Sequence, residues 1–137
     1  MTAGRSFPLQ PRSSMELEVG DIIAVPCEPV GWACLIVVDV QRRGPGARTT
    51  FVAGIVNWHG EQPPREVDIA GLPVIAQGLT RTELFTEGRL AVVGNIGPVS
   101  TTFDSNYRDL HVGAAHHVWG WKAAIRRAQA QGADRSR

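Results

Sequence analysis

Nine consecutive residues, Trp32 to Val40 (WACLIVVDV), are apolar everywhere except Asp39, and no other feature of the chain restricts its fold as much. A strand with one face in water alternates apolar and polar side chains. A run without alternation has both faces covered, which places it in the middle of a sheet. Before it, Ile22-Ile23-Ala24-Val25 is a shorter β-branched run closed by Pro26, as where a strand finishes at an edge. After it, Gln41 to Arg48 reads as a turn with Gly44-Pro45-Gly46 at its tip, and Thr49 to Val56 as the returning strand. Gly54 inside that strand predicts a bulge or a sharp coil of the sheet. Three strands joined by short turns make an antiparallel meander and not a βαβ unit.

The remaining punctuation is weaker. Asn57 to Pro64 (NWHGEQPP) is a loop, Arg65 to Gly71 holds a helical turn, and Leu72 to Ala76 is a strand entered through Pro73. Thr80-Arg81-Thr82-Glu83 has the spacing of a capping box, which predicts a helix over 81–87 with Gly88 as its left-handed stop. Leu90 to Gly94 is a further strand. Ser100 to Arg108 reads as a polar loop anchored by Phe103 and Tyr107, and Leu110 to Val118 fits strand or helix start equally. Val118, Trp121, Ile125 and Ala128 form one stripe of a terminal helix that Gly132 ends, with Lys122, Arg126, Arg127 and Gln129 opposite. The chain of 137 residues is one domain's worth. The expected division is a flexible N-terminal arm over 1–15, pinned by Phe7 and Leu9, a single domain over 16–131 with structure beginning at Val19, and a frayed tail over 132–137. The fold class is α+β: a strongly bent antiparallel sheet or small SH3-like barrel of about five or six strands, with one short helix and a C-terminal helix.

Charge and chemistry exclude more than they assign. A net charge of +1 does not suit a protein that grips nucleic acid through a uniformly basic surface. The charge is uneven: five basic residues and one acid lie from Lys122 onward, against nine basic and twelve acidic residues before it. No apolar run approaches a membrane span and the opening residues lack the apolar stretch of a signal peptide, so the expected location is cytoplasmic. Cys27 and Cys34 flank a hairpin turn at Pro29-Val30-Gly31, which leaves a disulfide between them open; no zinc spacing is present. Of the four histidines, His59, His111, His116 and His117, the neighbours His116 and His117 point apart if extended. No nucleophile motif or phosphate loop is found, so the expectation is no enzyme, no catalytic residue, no cofactor and no metal. The informative residues are acids beside an aromatic loop. Trp58, His59, Glu61, Glu66, Asp68, Glu83 and Glu87 form the candidate partner-binding set, since carboxylates steer a basic partner and an aromatic side chain anchors it.

The order of short motifs supplies a family. Val19-Gly20-Asp21-Ile22-Ile23-Ala24-Val25-Pro26, then Gly31-Trp32-Ala33 and an apolar strand, resembles the opening of the immunity protein 26 family of bacterial polymorphic toxin systems. Leu72-Pro73-Val74, the helix end from Leu84 to Gly88, and Val92-Val93-Gly94-Asn95 are similar to that family's second half, so the likeness covers about residues 19–97. The resemblance implies a non-catalytic protein that binds and neutralises a cognate toxin domain, often a nuclease; no direct contact with nucleic acid or membrane is expected, and the apolar C-terminal stripe leaves monomer or homodimer open. The resemblance implies no catalytic residue. A second likeness leads elsewhere: Gly20 to Val25 with Glu28-Pro29 is similar to the first strand of the MazF-like endoribonuclease toxins, which are small SH3-like barrels. Their next strand carries an Arg-Pro pair whose Arg handles the scissile phosphate, and Trp32-Ala33-Cys34-Leu35-Ile36 has neither residue. A small-barrel ribonuclease depending on His116 or His117 is therefore the alternative, and a binding module of a larger assembly the third expectation.

Overall fold

A computed structural model describes residues 5–44, 47–99 and 118–135. The expectations for Ser100 to Arg108 with Phe103 and Tyr107, and those for His111, His116 and His117, lie outside the described residues. The architecture is α+β. Five strands, β1 (Asp21–Pro26), β2 (Trp32–Val40), β3 (Thr50–Val56), β4 (Val74–Arg81) and β5 (Ala91–Asn95), form one antiparallel sheet in the order β4-β3-β2-β1-β5. The helices are α1 (Glu66–Ile69), α2 (Glu83–Thr86) and α3 (Trp121–Arg135), with a short 3-10 turn at Ser14–Glu16. The sheet is open, with β4 and β5 unpaired to each other among the described residues, so the bent sheet and not the closed barrel is the form adopted.

The nine-residue apolar run is the middle strand, and its side chains divide between two cores. Ala33, Leu35 and Val37 join Ile23, Val25, Phe51 and Ala53 beneath α2 and α3, where Leu84, Phe85, Trp119, Ala124 and Ala128 cover them. Cys34 and Ile36 point the other way, to Ile22, Val56 and Ile69, with Trp58 and Leu72 packed against that group. Cys27 borders the first core and Cys34 belongs to the second, so the sheet separates the two thiols and both are free. Pro26 lies beyond Ala24, the last residue of β1 that β5 reaches, so its missing N–H leaves no gap in the ladder.

Several local readings change. Gly54 makes no bulge; the register shifts fall at Ile22/Ile23 in β1, at Val37/Asp39 in β2 and at Ile55/Val56 in β3. A Cβ on Gly54 would come within 2.6 Å of Val38 Cγ2 and 2.9 Å of Val74 Cγ1, so the glycine makes room for two valines. The strand placed at Leu72 to Ala76 starts at Val74 and runs on to Arg81. It absorbs Thr80, and the capping box does not form: Thr82 is the N-cap of α2, makes no side-chain capping bond, and points its hydroxyl at the Thr49 carbonyl instead. Helix α2 is four residues long, and the left-handed residue after it is Arg89 (φ 61), not Gly88. Val118 is exposed and lies outside α3, bridging Leu79 in parallel; Trp119 takes the buried position expected of it. The backbone of α3 continues through Gly132 to Arg135, because one glycine costs an otherwise regular helix only about 1 kcal/mol.

Structure also begins before Val19. The Leu9 N–H donates to the Val92 carbonyl and the Val92 N–H donates to the Leu9 carbonyl, both at 2.8 Å, on the outer edge of β5. Leu9 pins the N-terminal arm as expected, whereas Phe7 stays exposed with the Arg5 guanidinium 5.3 Å above its ring.

Candidate functional site

The loop after β3 is fastened to the β1–β2 hairpin by its main chain. The Trp32 N–H donates to the Gly60 carbonyl at 2.8 Å and the Gly60 N–H returns a bond to the Trp32 carbonyl at 3.1 Å. Close approaches at two glycines tighten the join. A Cβ on Gly31 (φ +100) would fall 2.5 Å from His59 Nε2, and one on Gly60 would fall 2.5 Å from Trp58 Cζ2. Both rings therefore lie against bare backbone, His59 over the hairpin and Trp58 over its own loop. Any larger side chain at either glycine would push them off.

Trp58 lines an open hollow of about 720 Å³ with Glu61, Pro63, Pro64, Arg65 and Asp68. Its ring packs partly on the second core, and its indole N–H makes no hydrogen bond among the described residues. Glu61 is exposed and forms no ion pair among them. Asp68 is already engaged: its carboxylate accepts from the Arg65 N–H at 3.1 Å and from the Arg65 guanidinium at 3.3 and 3.4 Å. The guanidinium, then the main-chain N–H, hold Asp68 below the usual carboxylate range. The same bonds close the first turn of α1, which at four residues has no stability of its own and is held down by the fully buried Ile69.

Glu66 does not face the hollow in a free state. Its Oε2 accepts from the Asn95 N–H at 2.9 Å and its side chain covers Gly94, so it ties α1 to strand β5. Glu83 and Glu87 belong elsewhere altogether. They flank Leu84 and Phe85, whose core lies on the opposite face of the sheet from Ile69. The Arg81 guanidinium bonds Glu83 at 3.0 Å and lowers its pKa. Of the seven sequence-derived residues, the structure brings Trp58, His59, Glu61 and Asp68 to one end of the sheet, turns Glu66 to strand β5, and separates Glu83 and Glu87.

A second open hollow, about 650 Å³, adjoins the first across His59. Cys27, Glu28, Pro29 and Val30 of the hairpin face Arg126, Gln129 and Ala130 of α3 there, so the hollow carries one acid and one cation. Sequence reasoning missed it. The basic side of α3 and the turn at Pro29-Val30-Gly31 were each visible, but nothing in a single chain signals that residues so far apart will meet. Burial pushes the Cys27 thiol up, and that of the deeply buried Cys34 further still, so neither is set up as a thiolate nucleophile. Among the described residues no three His, Cys, Asp or Glu side chains gather where they would hold a metal ion, and no helix is long and apolar enough to cross a membrane. What these hollows offer is recognition: a fixed aromatic ring, exposed apolar atoms, and charges of both signs. Comparison with protein-family models, with curated proteins and with solved structures finds no match to this chain.

Proposed function

We propose that this chain is an immunity protein that acts in the cytoplasm by stoichiometric binding, covering the active cleft of a cognate toxin domain, with a nuclease as the favoured target. The observation that supports this most is the Trp58 hollow. An aromatic ring whose N–H is unpaired among the described residues is held against Gly60 beside the Glu61 carboxylate, which has no ion pair among them, on a loop locked to the sheet by two main-chain bonds. Aromatic anchors on fixed backbone carry much of the energy at protein interfaces, because little conformational freedom is lost when they dock. The motif order from Val19 to Asn95 supports the same reading. An interface of ordinary size, about 1,600 Å² in total, would cover the hollow and its rim.

The experiment is co-purification with the product of the neighbouring gene. The expected result is a 1:1 complex, protection of cells that express the toxin, and no turnover of RNA by the immunity protein alone. Trp58→Ala is expected to weaken the complex by about 2 kcal/mol or more, roughly thirtyfold. Absence of both complex and protection, or nuclease activity in the pure protein, overturns the proposal.

A further inference from the structure

The N-terminal arm and the end of α2 border an open hollow of about 480 Å³, lined by Gln10, Pro11, Arg12, Phe85, Thr86 and Arg89. Two of these residues are cations and none is an acid. Both arginines are exposed, and neither guanidinium makes a hydrogen bond, ion pair or ring contact among the described residues. The acids nearest along the chain are placed elsewhere. Glu16 Oε2 accepts from the Arg12 main-chain N–H at 2.9 Å and lines a different hollow with Arg5 and Arg42, Glu83 pairs with Arg81, and Glu87 does not line this one. Before Lys122 the chain has nine basic residues against twelve acidic ones, so a hollow with two cations and no acid reverses the local sign. The backbone supplies a second observation. Among the described residues Arg89 alone, glycines aside, has a positive φ. Glycine takes that conformation without strain and arginine does not, so the fold by itself is better served by glycine. Strain of this kind concentrates where a protein binds something. We infer that Arg12 and Arg89 form an oxyanion site whose ligand is a phosphate group, free or carried by a small phosphorylated molecule. The inference is independent of the immunity reading.

A guanidinium offers a planar fork of N–H donors that matches the oxygens of a phosphate two at a time. Two forks carry two positive charges, which a phosphate dianion neutralises and a single carboxylate only halves. The Thr86 hydroxyl, exposed and without a partner among the described residues, adds a donor free to rotate toward a further oxygen. The Phe85 carbonyl does not meet the anion bare, because it is covered by the Arg89 N–H at 3.1 Å and by Gln10 Nε2 at 3.3 Å. The same bond from Gln10, the Leu9 pair with Val92 and the Arg12 N–H bond to Glu16 hold the arm's main chain in place. Binding therefore orders two side chains and no backbone, which keeps its entropic cost low. It also replaces repulsion between like charges on the arm and on the α2 end with attraction of both to one anion, and so fastens the arm to the body.

The test is a titration of the full ¹⁵N-labelled chain with methyl phosphate, with inorganic phosphate and with acetate, at constant ionic strength. Methyl phosphate is expected to shift the Arg12 and Arg89 Nε–H resonances along one saturable curve, with a Kd of about 1–10 mM. Arg12→Gln and Arg89→Gln are each expected to weaken it at least tenfold, and acetate to bind at least tenfold more weakly than the ester. Arg89→Gly is expected to raise the urea midpoint while losing the ligand, which separates a binding role from a structural one. Inorganic phosphate on the same curve assigns the site to the phosphate group itself, and a response to the ester alone assigns it to a phosphorylated molecule; both support the inference. No saturation below about 50 mM, acetate binding as tightly as phosphate, or full affinity in either glutamine variant overturns it. Trp58→Ala is expected to leave the curve unchanged, so failure here leaves the immunity reading standing.

Discussion

At Gly54 the chain has room for a hydrogen and nothing larger, since the position of a Cβ is taken by Val38 and Val74 from the two neighbouring strands. Gly54→Ala is expected to cost about 1–3 kcal/mol in urea denaturation, the usual penalty for forcing a methyl into a filled core. Val38 is only partly buried, so adding Val38→Ala is expected to recover part of the loss; two single effects that simply add would show the crowding lies elsewhere. The glycine was visible in the sequence and its cause was not. An extended run such as Trp32 to Val40 announces itself through neighbours in the chain, whereas the contacts that require Gly54 come from residues on other strands. Glu66 makes the same point among the candidate site residues. Its charge reads as surface acid, and only the position of Asn95 reveals that the carboxylate is spent on a strand N–H.

Among the elements, α2 separates two roles that the sequence merges. Gly88 reads as the left-handed stop of a helix, yet its requirement is space: a Cβ there would sit 2.6 Å from the Leu84 carbonyl oxygen and 3.1 Å from both Ile125 Cδ1 and Trp121 Cζ3. The left-handed conformation falls one residue later, on Arg89, where a side chain is strained. The two substitutions therefore differ in sign. Gly88→Ala is expected to destabilise by about 1–3 kcal/mol as α3 is pushed away, and Arg89→Gly to stabilise by up to about 1 kcal/mol, both read from the urea midpoint. At α1 the corresponding test is pH. Asp68 has a lowered pKa because Arg65 bonds its charged form, so its contribution is fully present above the unfolded carboxyl's pKa. It is lost as pH falls through the depressed folded value. The Arg65 amide proton resonance is expected to titrate with that low midpoint and to lose the transition in Asp68→Asn. A midpoint in the ordinary Asp range would mean that the bonds do not persist in solution. The meander, the central strand and the existence of α3 were legible because each rests on a local pattern. The extent of β4 and the loss of the capping box were not, because pairing of Thr80 with Phe51 overrides a local spacing rule.

For the molecule as a whole, the segment that reads as loose is the one that closes the structure. Asp21 is fully buried at the start of β1, and its two oxygens receive Arg5 at 2.9 and 2.7 Å, the Glu18 N–H at 2.9 Å and the Asn95 side chain at 2.9 Å. Leu9 then covers the outer edge of β5 through its two bonds to Val92, and the Ser14 hydroxyl bonds the Ala47 carbonyl. Arg42 reaches back to the carbonyls of Met15 at 3.0 Å and Leu17 at 2.6 Å. The arm thus combines a buried ion pair with edge protection, and two variants separate them. Arg5→Met removes the guanidinium and leaves a buried carboxylate short of its cation, a loss of about 3–5 kcal/mol out of the roughly 5–15 kcal/mol typical of a domain. Deleting residues 1–12 removes the same ion and also bares the β5 edge, where unpaired N–H and C=O groups recruit strands from other chains. Both proteins are expected to unfold at much lower urea than the full chain, and by similar amounts. Only the deletion is expected to associate as concentration rises in sedimentation velocity, because Arg5→Met keeps the Leu9 pair. A deletion that keeps the full chain's urea midpoint would mean that the arm lies on the sheet without holding it; association by both variants would assign edge protection to the ion pair, through its hold on the arm, and not to Leu9 alone.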